Sequence, residues 1–133
     1  TDAQGRPYGL IRTGMVREQR LAEFAAFVKS ALPCPGLRFA DAGKPVRRVA
    51  VGGGSCGGAI DDVLAAGCDT LVTADLKYNH FEEAKYRGLN LIDAGHFETE
   101  NPVCDVLEGI LREAFPEIPV FRARAHRDET QFL

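Results

Sequence analysis

No apolar run in this chain approaches the roughly 20 residues needed to cross a bilayer. The opening also lacks the charged-then-apolar pattern of a secretion signal, so neither a membrane partner nor export is expected. Basic residues are not in excess: 16 Lys and Arg stand against 19 Asp and Glu, for a net charge of −3. That balance argues against nucleic acid as a partner, because phosphate binding wants clustered cations. The densest basic run, Arg122 to Arg127, lies in the tail and reads as a solvated end. Cys34, Cys56, Cys68 and Cys104 are far apart and form no C-x-x-C pair. Zinc-ribbon and thioredoxin spacings are thereby excluded, and free thiols in a reducing cytoplasm are expected. An initiator Met is missing too: the chain opens on Thr1, as a piece of a longer protein would.

What is present suits one α/β domain spanning 1–133. With 133 residues, 45% of them hydrophobic, the chain buries enough surface to fold without a disulfide or a metal. Residues 1–45 form a run-in. It holds a short strand over 9–16 and a helix over 17–32 with Leu21, Phe24, Ala25, Val28 and Leu32 on one stripe. Pro33 and Pro35 stop that helix, a weak strand covers 37–40, and 41–45 is a turn. From 46 onward, strands alternate with helices. Strand 46–51 ends at the glycines 52–54. A helix follows over 57–66 with Gly67 as C-cap, then strand 69–73, a helix over 77–87 and strand 89–93. A last helix over 99–115, with Thr99 or Asn101 as N-cap and Pro102 in its first turn, leads to a strand around 120–122. This alternation predicts a mainly parallel or mixed sheet with helices on both faces, a three-layer αβα architecture.

Sites in such sheets collect past the carboxyl ends of strands. Three segments sit there: Gly52–Gly58, Ala74–His80 and Ala94–Glu100. His96 and Glu100 are four apart, so a helical segment points both the same way. Imidazole nitrogen plus carboxylate oxygen suits zinc, iron or manganese, although two ligands leave a site unfinished. The bland alternative is a surface His beside a carboxylate. The turn with Gly53, Gly54 and Ser55 lies between a strand and a helix, where free N–H groups hold anions; it serves equally as a tight turn. The same turn fits G-x-S-x-G, the nucleophile-elbow pattern, with Asp75 or Asp93 and His96 or His126 in the chain order of a serine hydrolase. Cys56 is either a reactive thiol near a helix start or a small buried one. Asp75, Lys77, Tyr78 and His80 put acid, cation, phenol and imidazole within six residues, as substrate-binding or outer-shell groups, or as an ordinary helix start capped by Asp75.

Taken together, the segments Val49–Ser55, Thr73–Tyr78 and Leu91–Glu100 resemble the C-terminal half of the Nif-three-like family, whose bacterial members are often labelled GTP cyclohydrolase 1 type 2 homologues. The resemblance covers nearly the whole chain, and the run Asp93-Ala94-Gly95-His96-Phe97-Glu98-Thr99-Glu100 is its distinctive part. It implies a two-metal centre in a cleft between two related halves, with His96 and Glu100 among the ligands. The other family ligands, an adjacent His pair and an acidic residue, belong to the N-terminal half; this chain has no His-His pair. The family often has His directly after Lys-Tyr, where this chain has Asn79 and the imidazole comes one later, at His80. The resemblance also implies a homo-oligomer, and a site completed by the missing half or by a second chain. The expected function is a metal-dependent hydrolase acting on a small anionic substrate. A non-catalytic metal-binding scaffold or regulatory interaction protein is the alternative.

Overall fold

The computed structural model describes residues 3–5 and 9–133; residues 1, 2 and 6–8 of the run-in lie outside the described residues. A five-stranded mixed sheet organises the chain. Its strands are β1 (Arg12–Gln19), β2 (Arg38–Ala40), β3 (Val46–Ser55), β4 (Thr70–Ala74) and β5 (Asn90–Asp93), in spatial order β1-β3-β4-β5-β2. The central three run parallel, with Val49 opposite Thr70 and Thr70 opposite Asn90. β1 and β2 flank them antiparallel, with Arg12 opposite Val51 and Arg38 opposite Asp93. Every residue of β4 and β5 is buried, as strands covered on both faces must be.

The helices supply the cover. α1 (Leu21–Ala31) lays Leu21, Phe24, Ala25 and Val28 against Val46, Val49, Val72 and Ile92 on one face. On the other face, α2 (Ile60–Ala65) and α3 (Tyr78–Tyr86) bring Ile60, Val63 and Ala84 against Ala50, Leu71 and Leu91. The expected three layers are therefore formed.

Several expected boundaries move, each for a local reason. Arg17, Glu18 and Gln19 belong to β1, not to the first helix, because Gln19 pairs with Val46. The helix starts at Leu21, where the Glu23 carboxylate accepts the Arg20 N–H at 3.2 Å. β3 does not stop at Val51. It runs through the glycines to Ser55, which pairs with Ala74 after a shift in register. The last expected helix is two: α4 (His96–Glu100) and α5 (Pro102–Ala114). Pro102 has no N–H to continue the first, so the chain restarts there. The expected strand at 120–122 is not formed; those residues are irregular. α5 buries none of its residues, and Val103, Val106, Leu107 and Ile110 form an exposed apolar face. Among the described residues, no helix is long and apolar enough to cross a membrane.

Candidate metal centre at the strand ends

β3, β4 and β5 deliver their carboxyl ends to one place. Past β5, Gly95 takes φ +85° and turns the chain into α4, so His96 opens a helix directly at the sheet edge. Four residues on, Glu100 comes round to the same side. His96 Nε2 and Glu100 Oε2 stand 3.2 Å apart, both side chains about half-exposed. Past β4, Asp75 takes φ +54°, outside the ordinary range for a residue with a side chain. In that conformation its Oδ2 lies 2.6 Å from His96 Nδ1. The imidazole is thus held between two carboxylates. Its pKa is raised above the ordinary histidine value, first by the hydrogen bond to Asp75, against some desolvation, and then by the charges of Asp75 and Glu100.

The glycines of β3 make room for this arrangement. Gly54 has φ +63°, and a Cβ there would overlap Glu100 Oε1 and stand 3.2 Å from His96 Cε1. Its N–H donates to Thr99 Oγ1 at 3.0 Å. Thr73 ties the same segment to β4: its hydroxyl donates to the Gly54 carbonyl at 2.8 Å and accepts the Cys56 N–H at 3.0 Å. A Cβ on Gly53 would stand 3.2 Å from the Thr99 carbonyl. The glycine run is therefore the surface on which α4 seats.

Of the residues singled out in the sequence, His96, Glu100 and Asp75 come together, with Gly53 and Gly54 beneath them. Asp75 is not the N-cap of α3; that helix starts at Tyr78, after Lys77. Lys77 and Tyr78 are exposed at that start. His80 turns back on its own helix, its Nδ1 accepting the Lys77 N–H at 3.2 Å and its ring close against Gly57. Ser55 is exposed at the end of β3. Both His96 nitrogens face carboxylates, and His126 Nε2 lies 3.1 Å from Asn101 Oδ1, so neither histidine is paired with Ser55 as a serine hydrolase requires. Cys56 is buried.

Arg38 reaches across from β2, its Nη2 2.5 Å from Asp93 Oδ2 and 2.9 Å from the Leu76 carbonyl. Asp93 Oδ2 also accepts the Leu76 N–H at 3.1 Å, which fixes the chain just after Asp75. Asp93 at a strand end was a legible signal; Arg38, 55 residues away in sequence, was not. A cavity of about 430 Å³ opens beside His96 and Asp75, walled in part by Leu37, Phe97 and Phe132.

The spacing of the donors fits a metal ion. Two ligands each about 2.1 Å from one ion lie roughly 3 Å apart. The 3.2 Å between His96 Nε2 and Glu100 Oε2 fits that separation. Asp75 on the far ring nitrogen is the outer partner that a metal-bound histidine uses. Among the described residues, however, no group of three or more His, Cys, Asp or Glu is arranged to hold an ion alone.

Fold and site define an α/β protein with a histidine–carboxylate pair at the carboxyl ends of parallel strands. The family model described as Duf34/NIF3 (NGG1p interacting factor 3) matches residues 3–129, and the chain belongs to that family. A GTP cyclohydrolase 1 type 2 homolog of Nostoc sp. is 43% identical over 95 residues, which is 69% of this chain and 36% of the relative. A homolog of the same description from Clostridium perfringens is 27% identical over 121 residues, 90% of this chain and 46% of the relative. Among solved structures, Staphylococcus aureus protein SA1388 superposes with a TM-score of 0.86 at 31% identity, covering 95% of this chain and 43% of that one. A Bacillus cereus protein related to NIF3 gives a TM-score of 0.79 at 30% identity, over 94% and 36%. The chain thus spans less than half the length of these relatives.

Proposed function

We propose that this chain supplies part of a dinuclear metal centre, with His96 and Glu100 as ligands to zinc, iron or manganese and Asp75 orienting the imidazole. The single observation that carries the reading is the convergence of His96 Nε2 and Glu100 Oε2 while Asp75 occupies Nδ1. Two ligands need completion, by the remaining length of a protein such as the relatives or by a second copy in a homo-oligomer. When bound, paired metals activate a water and polarise a substrate oxygen, which is the chemistry of a hydrolase. The relatives' description as GTP cyclohydrolase 1 type 2 homologs supports the same class. Of the groups expected to meet an anionic substrate, Ser55, Lys77 and Tyr78 are exposed.

Elemental mass spectrometry on the purified chain, dialysed against trace metal, tests this. Bound transition metal is expected, and His96→Ala should abolish it. Metal retained in the variant, or absent from both this chain and a protein that also carries the remaining half, sinks the proposal. Asp75→Asn tests the outer partner, since Asn tolerates the left-handed backbone but removes the charge. Metal affinity should fall about 10–100-fold, read by competition with a chelating dye. Unchanged affinity would mean that Asp75 does not orient the ligand.

A second reading, a non-catalytic metal-bound scaffold, is favoured by the apolar face of α5, where Val103, Val106, Leu107 and Ile110 stay about half-exposed although the 120–122 segment lies beside the helix. It expects chelation to change the assembly state and no hydrolysis by the metal-loaded protein.

A further inference from the structure

Among the described residues, two carboxylate residues are largely buried, Asp93 and Glu98. Asp93 is held by Arg38 and by the Leu76 N–H. Glu98 is only 9% exposed and has no hydrogen bond or ion pair among the described residues. Most of the residue is out of water, but its carboxylate oxygens keep contact with solvent, since no fully buried side-chain oxygen lacks a partner among the described residues. The backbone keeps a place for it: a Cβ on Gly95 would overlap Glu98 Oε2.

Glu98 lines the 430 Å³ cavity beside His96 and also an adjoining cavity of about 540 Å³. A ligand in either space therefore reaches it. The first cavity also carries Asp75, Asp93 and Asp128, against Arg38 and, when protonated, His96, so carboxylates outnumber cations. Arg38 is already bound to Asp93 and the Leu76 carbonyl, and does not neutralise Glu98. Leu37, Phe97 and Phe132 give the space apolar walls. Apolar walls beside a carboxylate that faces the space and that no cation of the described residues holds are the makings of a specific small-molecule site. A carboxylate accepts two parallel N–H bonds most strongly from a planar, charged donor pair.

We propose that this cavity binds a flat apolar ring carrying an amidine or guanidine group, with Glu98 accepting its paired N–H donors. The inference deepens the metal-centre reading, and rests on it only in placing the bound group beside a reactive centre; binding itself needs no metal.

Calorimetric titration of the full, metal-free chain with benzamidine and with benzamide tests it. The two probes share a shape, but only benzamidine has the charged donor pair. Benzamidine should bind at least tenfold more tightly than benzamide, and Glu98→Gln should erase that preference. Equal affinity for the two probes, or a preference unchanged in a folded Glu98→Gln, overturns the proposal. Should the variant not fold, amide shifts on the unaltered chain decide. Benzamidine should move Gly95, Phe97 and Glu98, and changes confined to other regions overturn it. Metal content measured on the same preparations keeps the two readings apart. Amidine binding without metal uptake removes the metal centre alone, and metal uptake without amidine preference removes this site alone.

Discussion

Gly54→Ala should abolish the metal binding proposed for the His96–Glu100 pair while Gly67→Ala leaves it untouched. Both glycines sit at similar backbone angles, φ +63° and +72°. A side chain in that left-handed region costs about 1–2 kcal/mol at either position. Their surroundings differ. A Cβ on Gly67 meets nothing within 4 Å, whereas one on Gly54 overlaps Glu100 Oε1 and presses on His96. Glu100 then has to swing away from His96 Nε2, because the Gly54 backbone is fixed by Thr99 and Thr73. Thermal unfolding should show a similar loss for the two variants, somewhat larger at 54, and metal analysis should separate them completely. Full metal occupancy in a folded Gly54→Ala protein would show that the carboxylate of Glu100 is not needed where it stands.

The contrast also shows what was legible in the sequence. Helical spacing puts His96 and Glu100 on one side, and that reading needed only the rise and turn of a helix. From local preference the glycines read as a turn, because Gly is poor in strands. The sheet overrides that preference: Ser55 still finds Ala74 across the bulge, so the strand continues and the glycines become the seat of α4. Local preference likewise puts Arg17 to Gln19 in a helix, and the pairing of Gln19 with Val46 draws the segment into β1. At 120–122 the error runs the other way. A stretch with strand-like residues gains nothing without a neighbouring strand, and 120–122 lies against α5, where Arg122 pairs with Asp105 and Glu108. The elements that depend on their own residues were visible; those that depend on a partner far along the chain were not. The site divides along the same line. Asp75 joins His96 across 21 residues and Arg38 joins Asp93 across 55, and nothing in the local pattern announces either contact.

Leu91→Ala should be among the most damaging single changes to the fold, and Leu107→Ala among the mildest for the same chemistry. Leu91 is 0% exposed in the middle of β5, packed with Leu71, Ala84 and Leu89. Its removal loses the burial of the side chain and leaves a cavity that close-packed neighbours fill only in part, a cost of about 2–5 kcal/mol. For a domain of this size that lowers the melting temperature by roughly 10 °C. Leu107 is 50% exposed on the apolar face of α5, and Ala is the better helix former, so its replacement should cost about 1 kcal/mol or less. Chemical denaturation of the two variants gives both numbers directly. β5 also ends at Asp93, two residues before the Gly95 turn that launches His96, so the Leu91 variant should lose metal in step with its folded fraction. If Leu107→Ala instead proves as costly as Leu91→Ala, the α5 face is covered in solution, and a second copy of the chain is then the surface that covers it.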